Sequence, residues 1–182
     1  MARKTEFDVD SVLKGLMLFF WENDFEATTM RKVAEFVHVK PQSLYNKFGN
    51  KEELYIVALG YYTRLFKRTL QVIEKQNKAK NEILCDLLVM DWENDVFPRG
   101  CMAVDAVGTR EYRSVTGMVD NIFNEYRKSI QRVISKDSAA SKDNLVGLLL
   151  TFHNGLQVEA KSCSRSALYE KAVEFIKVLD RG

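Results

Sequence analysis

The sequence predicts an all-α protein, and three observations carry that prediction. Only two prolines and nine glycines punctuate 182 residues, too few for a chain of short strands and tight turns. Long segments repeat apolar residues at helical spacing. A hydrophobic content of 46% supplies a core for about one to two domains.

The first helix is expected from residue 8 or 10, where Asp8 and Asp10 can cap it, to about residue 23, with Val12, Leu13, Leu16, Phe19 and Phe20 turned inward. Residues 29–48, TMRKVAEFVHVKPQSLYNKF, read as two short amphipathic helices around a tight turn. Met30, Val33, Ala34 and Val37 make one apolar stripe, and Ala34 is small where the next helix must cross closely. Pro41 disfavours helix at Lys40 and suits the first position of a new helix, so the second helix begins there. Its Leu44 and Phe48 point inward, leaving Gln42, Ser43, Tyr45, Asn46 and Lys47 outward.

After Gly49 and Asn50 a long helix opens at Lys51 with Glu52 and Glu53 in its first turn, where the helix dipole favours acids. It is expected to reach about residue 75 and to pack through Leu54, Val57, Ala58, Tyr61, Leu65 and Val72. Residues 77–80 are polar and read as a linker. Five further helices are predicted, at about 82–92, 101–108, 111–135, 142–161 and 166–180. Pro98 and Gly100 separate the first two of these, and 135–144 is a loop.

The short helix from Pro41 carries the chemistry. An α-helix opened by proline presents unpaired backbone N–H groups and a positive dipole end, with Lys40, Gln42 and Ser43 around it, and these favour phosphate. Between Lys40 and Lys51 there are three lysines and no acid, although the whole chain carries a net charge of only +2. The positive field is local, and this is the footprint expected of a DNA-reading helix. Gln and Asn can bond adenine edges bidentately, while Ser and Tyr reach bases or phosphate.

Together with its flanks, this stretch resembles the TetR/AcrR family of bacterial transcriptional regulators. The matching residues are FFWENDFEA (19–27), Thr28 and Thr29, VAE (33–35) and, most specifically, SLYNKFGNKEEL (43–54). The resemblance implies a helix-turn-helix DNA-binding domain over residues 1–50 and a ligand-binding and dimerisation domain over 51–182. It implies that Lys40, Gln42, Ser43, Tyr45 and Asn46 face double-stranded DNA, with Thr29, Lys47 and Lys51 anchoring its backbone. His38 stands where the family commonly has glycine, in a turn that suits a positive φ, and is read as structural. Arg3 and Lys4 are expected to be a plain start or a flexible arm.

The resemblance also implies a homodimer formed through the last two helices. Leu145, Leu148, Leu149, Phe152, Leu156, Leu168, Ala172, Phe175, Ile176 and Leu179 offer them more apolar surface than one chain easily covers, and Gly147 and Gly155 would permit close approach. A small-molecule inducer would lie in the body, where Tyr62, Phe66, Trp92, Cys101, Met102, Tyr112, Phe123 and Tyr126 are the candidate lining, although aromatics at helical spacing are also ordinary packing. RGCMAVDAVGTRE resembles a Gly-Cys motif in a subset of the family that includes regulators of electrophile and oxidant responses. Cys101 is read first as a small buried apolar group; alternatively a helix start and Arg99 would lower its pKa and make it reactive.

Catalysis lacks parts: there is no phosphate-binding glycine loop, nucleophile elbow or HExxH run, and His38 and His153 lie far apart. His153, on an apolar helix, reads as an interface or pocket hydrogen-bonder. Three cysteines at no metal-like spacing disfavour a zinc site or a disulfide framework and suit a reducing cytoplasm; no cofactor or metal is implied. No window approaches a membrane span. The expected function is a ligand- or stress-responsive repressor on a palindromic operator; the alternative is a helical small-molecule or redox sensor without functional DNA binding.

Overall fold

A computed structural model describes residues 7–90, 97–109, 113–134 and 142–180, and every regular element in them is helical. The candidates Trp92 and Tyr112, together with Arg3 and Lys4, lie outside the described residues. The first helix, α1 (Val9–Glu22), is capped by Asp8, whose carboxylate accepts from Asp10 N and Ser11 N. It buries Leu16 and Met17 completely. A Cβ on Gly15 would lie 3.0 Å from Val37 Cγ1, so α1 and the end of the second helix meet where only glycine sits without displacement. Asp24 Oδ1 accepts from Glu26 N and Ala27 N, an Asx turn that redirects the chain. Next come α2 (Met30–Phe36) and α3 (Pro41–Phe48), with the fully buried Leu44 as the inward anchor of α3. His38 in the turn between them has φ 54°, the left-handed conformation expected of that position.

The longest helix is α4 (Lys51–Glu74), opened by a reciprocal cap: Asn50 Oδ1 accepts from Glu53 N, and Glu53 Oε2 accepts from Asn50 N at 2.8 Å. Its buried face differs from the predicted one. Leu54 and Ala58 are buried as expected, but Val72 is 50% exposed and Val57, Tyr61 and Leu65 are half-buried. Tyr55, Leu59, Tyr62, Phe66, Leu70 and Ile73 are buried instead. The cause is tertiary: α4 is sandwiched between α1 on one side and α7 (Arg113–Ile134) on another, and two neighbours bury an arc that a single stripe does not describe.

Between them lie α5 (Lys80–Val89), the short α6 (Met102–Asp105) and a 3-10 turn (Ala106–Thr109); α8 (Lys142–Glu159) and α9 (Arg165–Leu179) close the chain. The α5 helix starts inside the segment read as linker, where Glu82 accepts from Ala79 N at 2.9 Å, and stops at Val89 because Met90 turns left-handed at φ 48°. It packs mainly on α9 and α8.

The C-terminus of α5 ends inside the protein, where its last carbonyls need donors. Met90 N bonds Asp86 O at 2.9 Å, and Tyr126 Oη from α7 donates to Leu87 O at 2.9 Å. From α8, His153 Nδ1 donates to Leu88 O at 2.9 Å, and Gln157 Nε2 donates to Val89 O at 3.0 Å. The carbonyl acceptor fixes the proton on Nδ1. His153 is therefore a core capping group rather than the interface or pocket residue expected, and burial pushes its pKa down to about 4.

Candidate nucleic-acid interface and helical body

The predicted DNA-facing residues come together on one surface. On α3, Gln42, Asn46 and Lys47 are exposed, Ser43 is half-buried and Tyr45 is 46% exposed, all raised on the buried Leu44. Gln42 Nε2 donates to Asn46 Oδ1 at 3.0 Å. That bond orders both side chains one turn apart and leaves an acceptor oxygen on Gln42 and donor hydrogens on Asn46 for an outside partner. Lys40 occupies the N-cap position with no side-chain cap; Pro41 carries no N–H, and Ser43 N donates to Lys40 O at 2.9 Å, which leaves Gln42 N as the first backbone donor of α3.

The three anchors differ in their freedom. Lys47 is exposed. Thr29 is the N-cap of α2, its hydroxyl accepting from Lys32 N at 3.3 Å while keeping a hydrogen to donate. Lys51 is half-buried: its ammonium donates to Phe25 O at 2.9 Å and lies 4.3 Å from the Phe25 ring centroid. It is thus a structural tie between α4 and the loop before α2, with further N–H donors left for another acceptor. Phe7, packed 6.3 Å from Phe48, closes the underside of α3.

The described members of the predicted pocket lining fall in two settings. Tyr62, Phe66, Cys101, Met102 and Tyr126 are buried in the core. Tyr62 and Phe66 rings lie 5.7 Å apart, Phe66 and Tyr126 6.1 Å, and Tyr126 and His153 4.3 Å. Periodicity marks a buried aromatic equally whether it meets a ligand or another ring, so spacing alone does not separate the two. Phe123 lines an open cleft, of about 610 Å³, between α7, α8 and the 3-10 turn.

Cys101 is buried, as its first reading has it, and the alternative of a lowered thiol pKa does not hold. The thiol is buried 3.0 Å from Tyr62 Oη, and burial pushes its pKa up. The Arg99 guanidinium, expected beside it, donates to Cys163 O at 3.2 Å instead. Burial, and after it Cys101, also raises the Tyr62 hydroxyl well above its ordinary value.

Trp21 is the residue of consequence that sequence reasoning missed. Buried at the end of α1, it meets Tyr62 of α4 edge-on at 5.0 Å and stacks with Phe97 at 6.2 Å. The signal was the continuation of the apolar face of α1 beyond Phe20. Gln157 was missed too, although a polar residue four positions after His153 on an apolar helix marks a shared buried partner.

Described residues that are helical in every regular element and set a polar-faced second helix on a buried hydrophobic anchor after a tight turn have the form of a helix-turn-helix DNA-binding regulator. Residues 13–58 match the model of the bacterial regulatory proteins, tetR family. The chain is 36% identical over 65 residues to the HTH-type transcriptional repressor ComR of Escherichia coli (strain K12), a match that spans 36% of this chain and only 31% of ComR. A cysteine mutant of the TetR-family regulator CifR, solved with 26-bp double-strand operator DNA, is 28% identical with a TM-score of 0.74, covering 94% of this chain and 98% of that one. SCO4454, a TetR-family regulator of Streptomyces coelicolor, is 13% identical and shares the fold at a TM-score of 0.81, over 94% of this chain and 87% of its own. Residues 13–58 thus match the regulatory domain of the tetR family, and the described residues share the fold of solved TetR-family transcriptional regulators. No helix among the described residues is long and apolar enough to cross a membrane.

Proposed function

We propose that this chain is one subunit of a homodimeric repressor that occupies a palindromic operator and is released when a small-molecule inducer enters its body. The carrying observation is the outward face of α3: an N-terminus without a side-chain cap at Lys40 and an ordered Gln42–Asn46 pair beside an exposed Tyr45. In this reading residues 1–50 read DNA and 51–182 sense and dimerise. Lys40, Gln42, Ser43, Tyr45 and Asn46 enter the major groove; Thr29, Lys47 and Lys51 hold phosphates. The similarity to CifR, solved on operator DNA, and to the repressor ComR supports it.

Support for the dimer comes from the last two helices. Leu149, Leu156, Leu168, Ala172 and Ile176 close the core of the single chain, but Leu148, Val158 and Val178 remain 54%, 60% and 65% exposed. Gly147 and Gly155 have open space around them, so another backbone can approach there. A twofold assembly on that face spaces two copies of α3 for half-sites roughly 34 Å apart or as the body sets them. The inducer must bind the non-DNA-spaced arrangement more tightly, shifting α4 and with it α3. The test is retention of fragments from the source genome, followed by titration of a retained fragment at two salt concentrations. Salt-sensitive binding to a fragment with a two-fold repeat is expected; no retained fragment and no salt-sensitive binding to any duplex would refute the proposal.

A further inference from the structure

The cleft between α7, α8 and the 3-10 turn carries polar groups that the protein leaves unmatched. Phe123, Leu150 and Val104 give it apolar walls, and its volume of about 610 Å³ suits a small organic ligand. The half-buried Arg127 faces into it. Its two neighbouring cations on α7 are paired, Lys128 with Glu125 and Arg132 with Glu74, whereas Arg127, like the exposed Arg113 at the start of the helix, has no ion-pair partner among the described residues. A guanidinium against apolar walls favours a planar anion that takes its parallel N–H groups two at a time. Asn154, on α8, brings a buried Oδ1 with no hydrogen-bond donor. Such an acceptor is costly to leave unmet and calls for an N–H or O–H. Asp120 lines the same cleft two turns along α7 from Arg127, roughly 10 Å away, and adds a second acceptor.

Leu150 and Asn154 lie on the flank of α8 away from Phe152, which stacks on Phe175 of α9 at 3.8 Å. The cleft therefore stays clear of the packing between the last two helices.

We propose that this cleft binds a small carboxylate with an apolar body and a hydroxyl or amino group, its carboxylate on Arg127 and its donor on Asn154 or Asp120. This rests on the reading of the chain as a ligand-released regulator and gives the chemical class of the ligand. Calorimetric titration of the whole protein with phenyllactate, phenylalanine and hydroxyphenylacetate, each beside its primary amide, tests it. At least one of the three carboxylates is expected to bind while its amide does not. Arg127→Met should weaken that binding about tenfold or more, and Leu150→Trp, which fills the cleft, should block it. Failure of all three carboxylates, equal binding of the amides, or indifference to both substitutions overturns the inference. Retention of genomic fragments by the same preparation separates the two readings. Retained DNA without carboxylate binding removes only the ligand class; carboxylate binding at the cleft without retained DNA removes the operator reading and leaves the cleft site.

Discussion

Acid should loosen this fold through one residue. His153 is fully buried, its Nδ1 proton is committed to Leu88 O, and its ring lies 4.3 Å from that of Tyr126. Burial, only partly offset by that hydrogen bond, lowers its pKa from 6.5 to about 4 in the folded chain. Because the folded value lies below the unfolded one, the neutral ring's contribution is present above pH 6.5. It is lost as pH falls through the window from 6.5 towards 4. The full shift corresponds to about 3 kcal/mol, of which about 2 kcal/mol disappears between pH 7 and pH 5. His153→Asn offers an amide N–H to the same carbonyl but does not titrate. Urea unfolding of both proteins, at one protein concentration and at both pH values, isolates the effect, since every other titrating group is common to the pair. The advantage of the parent over the variant should shrink by about 2 kcal/mol at pH 5. An advantage that is the same at both pH values would refute the assignment of a neutral, buried His153.

Tyr45→Ala removes an exposed ring and should weaken operator binding by about 1–3 kcal/mol in fluorescence anisotropy while leaving the elution volume unchanged. Gly49→Ala places a Cβ against the Glu53 carboxylate at a φ of 88°, so it should break the cap of α4 and lower stability by about 2 kcal/mol in thermal unfolding. Iodoacetamide should label the half-buried Cys163 well before the buried Cys101; equal rates by mass spectrometry would contradict the packed thiol. Leu148→Glu combined with Val158→Glu, both on exposed positions of α8, should convert the proposed dimer to monomers in sedimentation velocity without loss of helix content.

The parts of this fold legible in the sequence are those set by local chemistry. Pro41, Asp8 and the Asn50–Glu53 pair fix helix starts within one or two residues of themselves, and the structure begins α3, α1 and α4 there. The outward residues of α3 follow from Leu44 alone, since one buried position on so short a helix orients all the others. What the sequence concealed depends on neighbours distant in the chain. Val72 has the apolarity of a core residue, but among the described residues it stays half open to solvent. His153 and Gln157 meet the end of α5 more than sixty residues away, a pairing that no spacing rule contains. Cys101 sits at a helix start as expected, but α6 has only four residues and the thiol faces Tyr62 within the core.

The same long-range packing constrains how a signal can travel from the body to α3. Motion of α4 alone is resisted, because Trp21 of α1 is held against Tyr62 of α4 and against Phe97, and the ammonium of Lys14 lies 5.9 Å from the Phe97 ring. The segment leading to α6 therefore grips the first helix directly, and Tyr62 joins that grip to Cys101 at the start of α6. Under the proposed mechanism an inducer in the α7–α8 cleft touches Val104, which belongs to α6 itself. A displacement there reaches α1 and α4 together through packed aromatic rings, and these two helices carry α3 with them as a body. Such contacts are rigid at the scale of one methylene, so a small shift of α6 is passed on to the head of the molecule rather than absorbed.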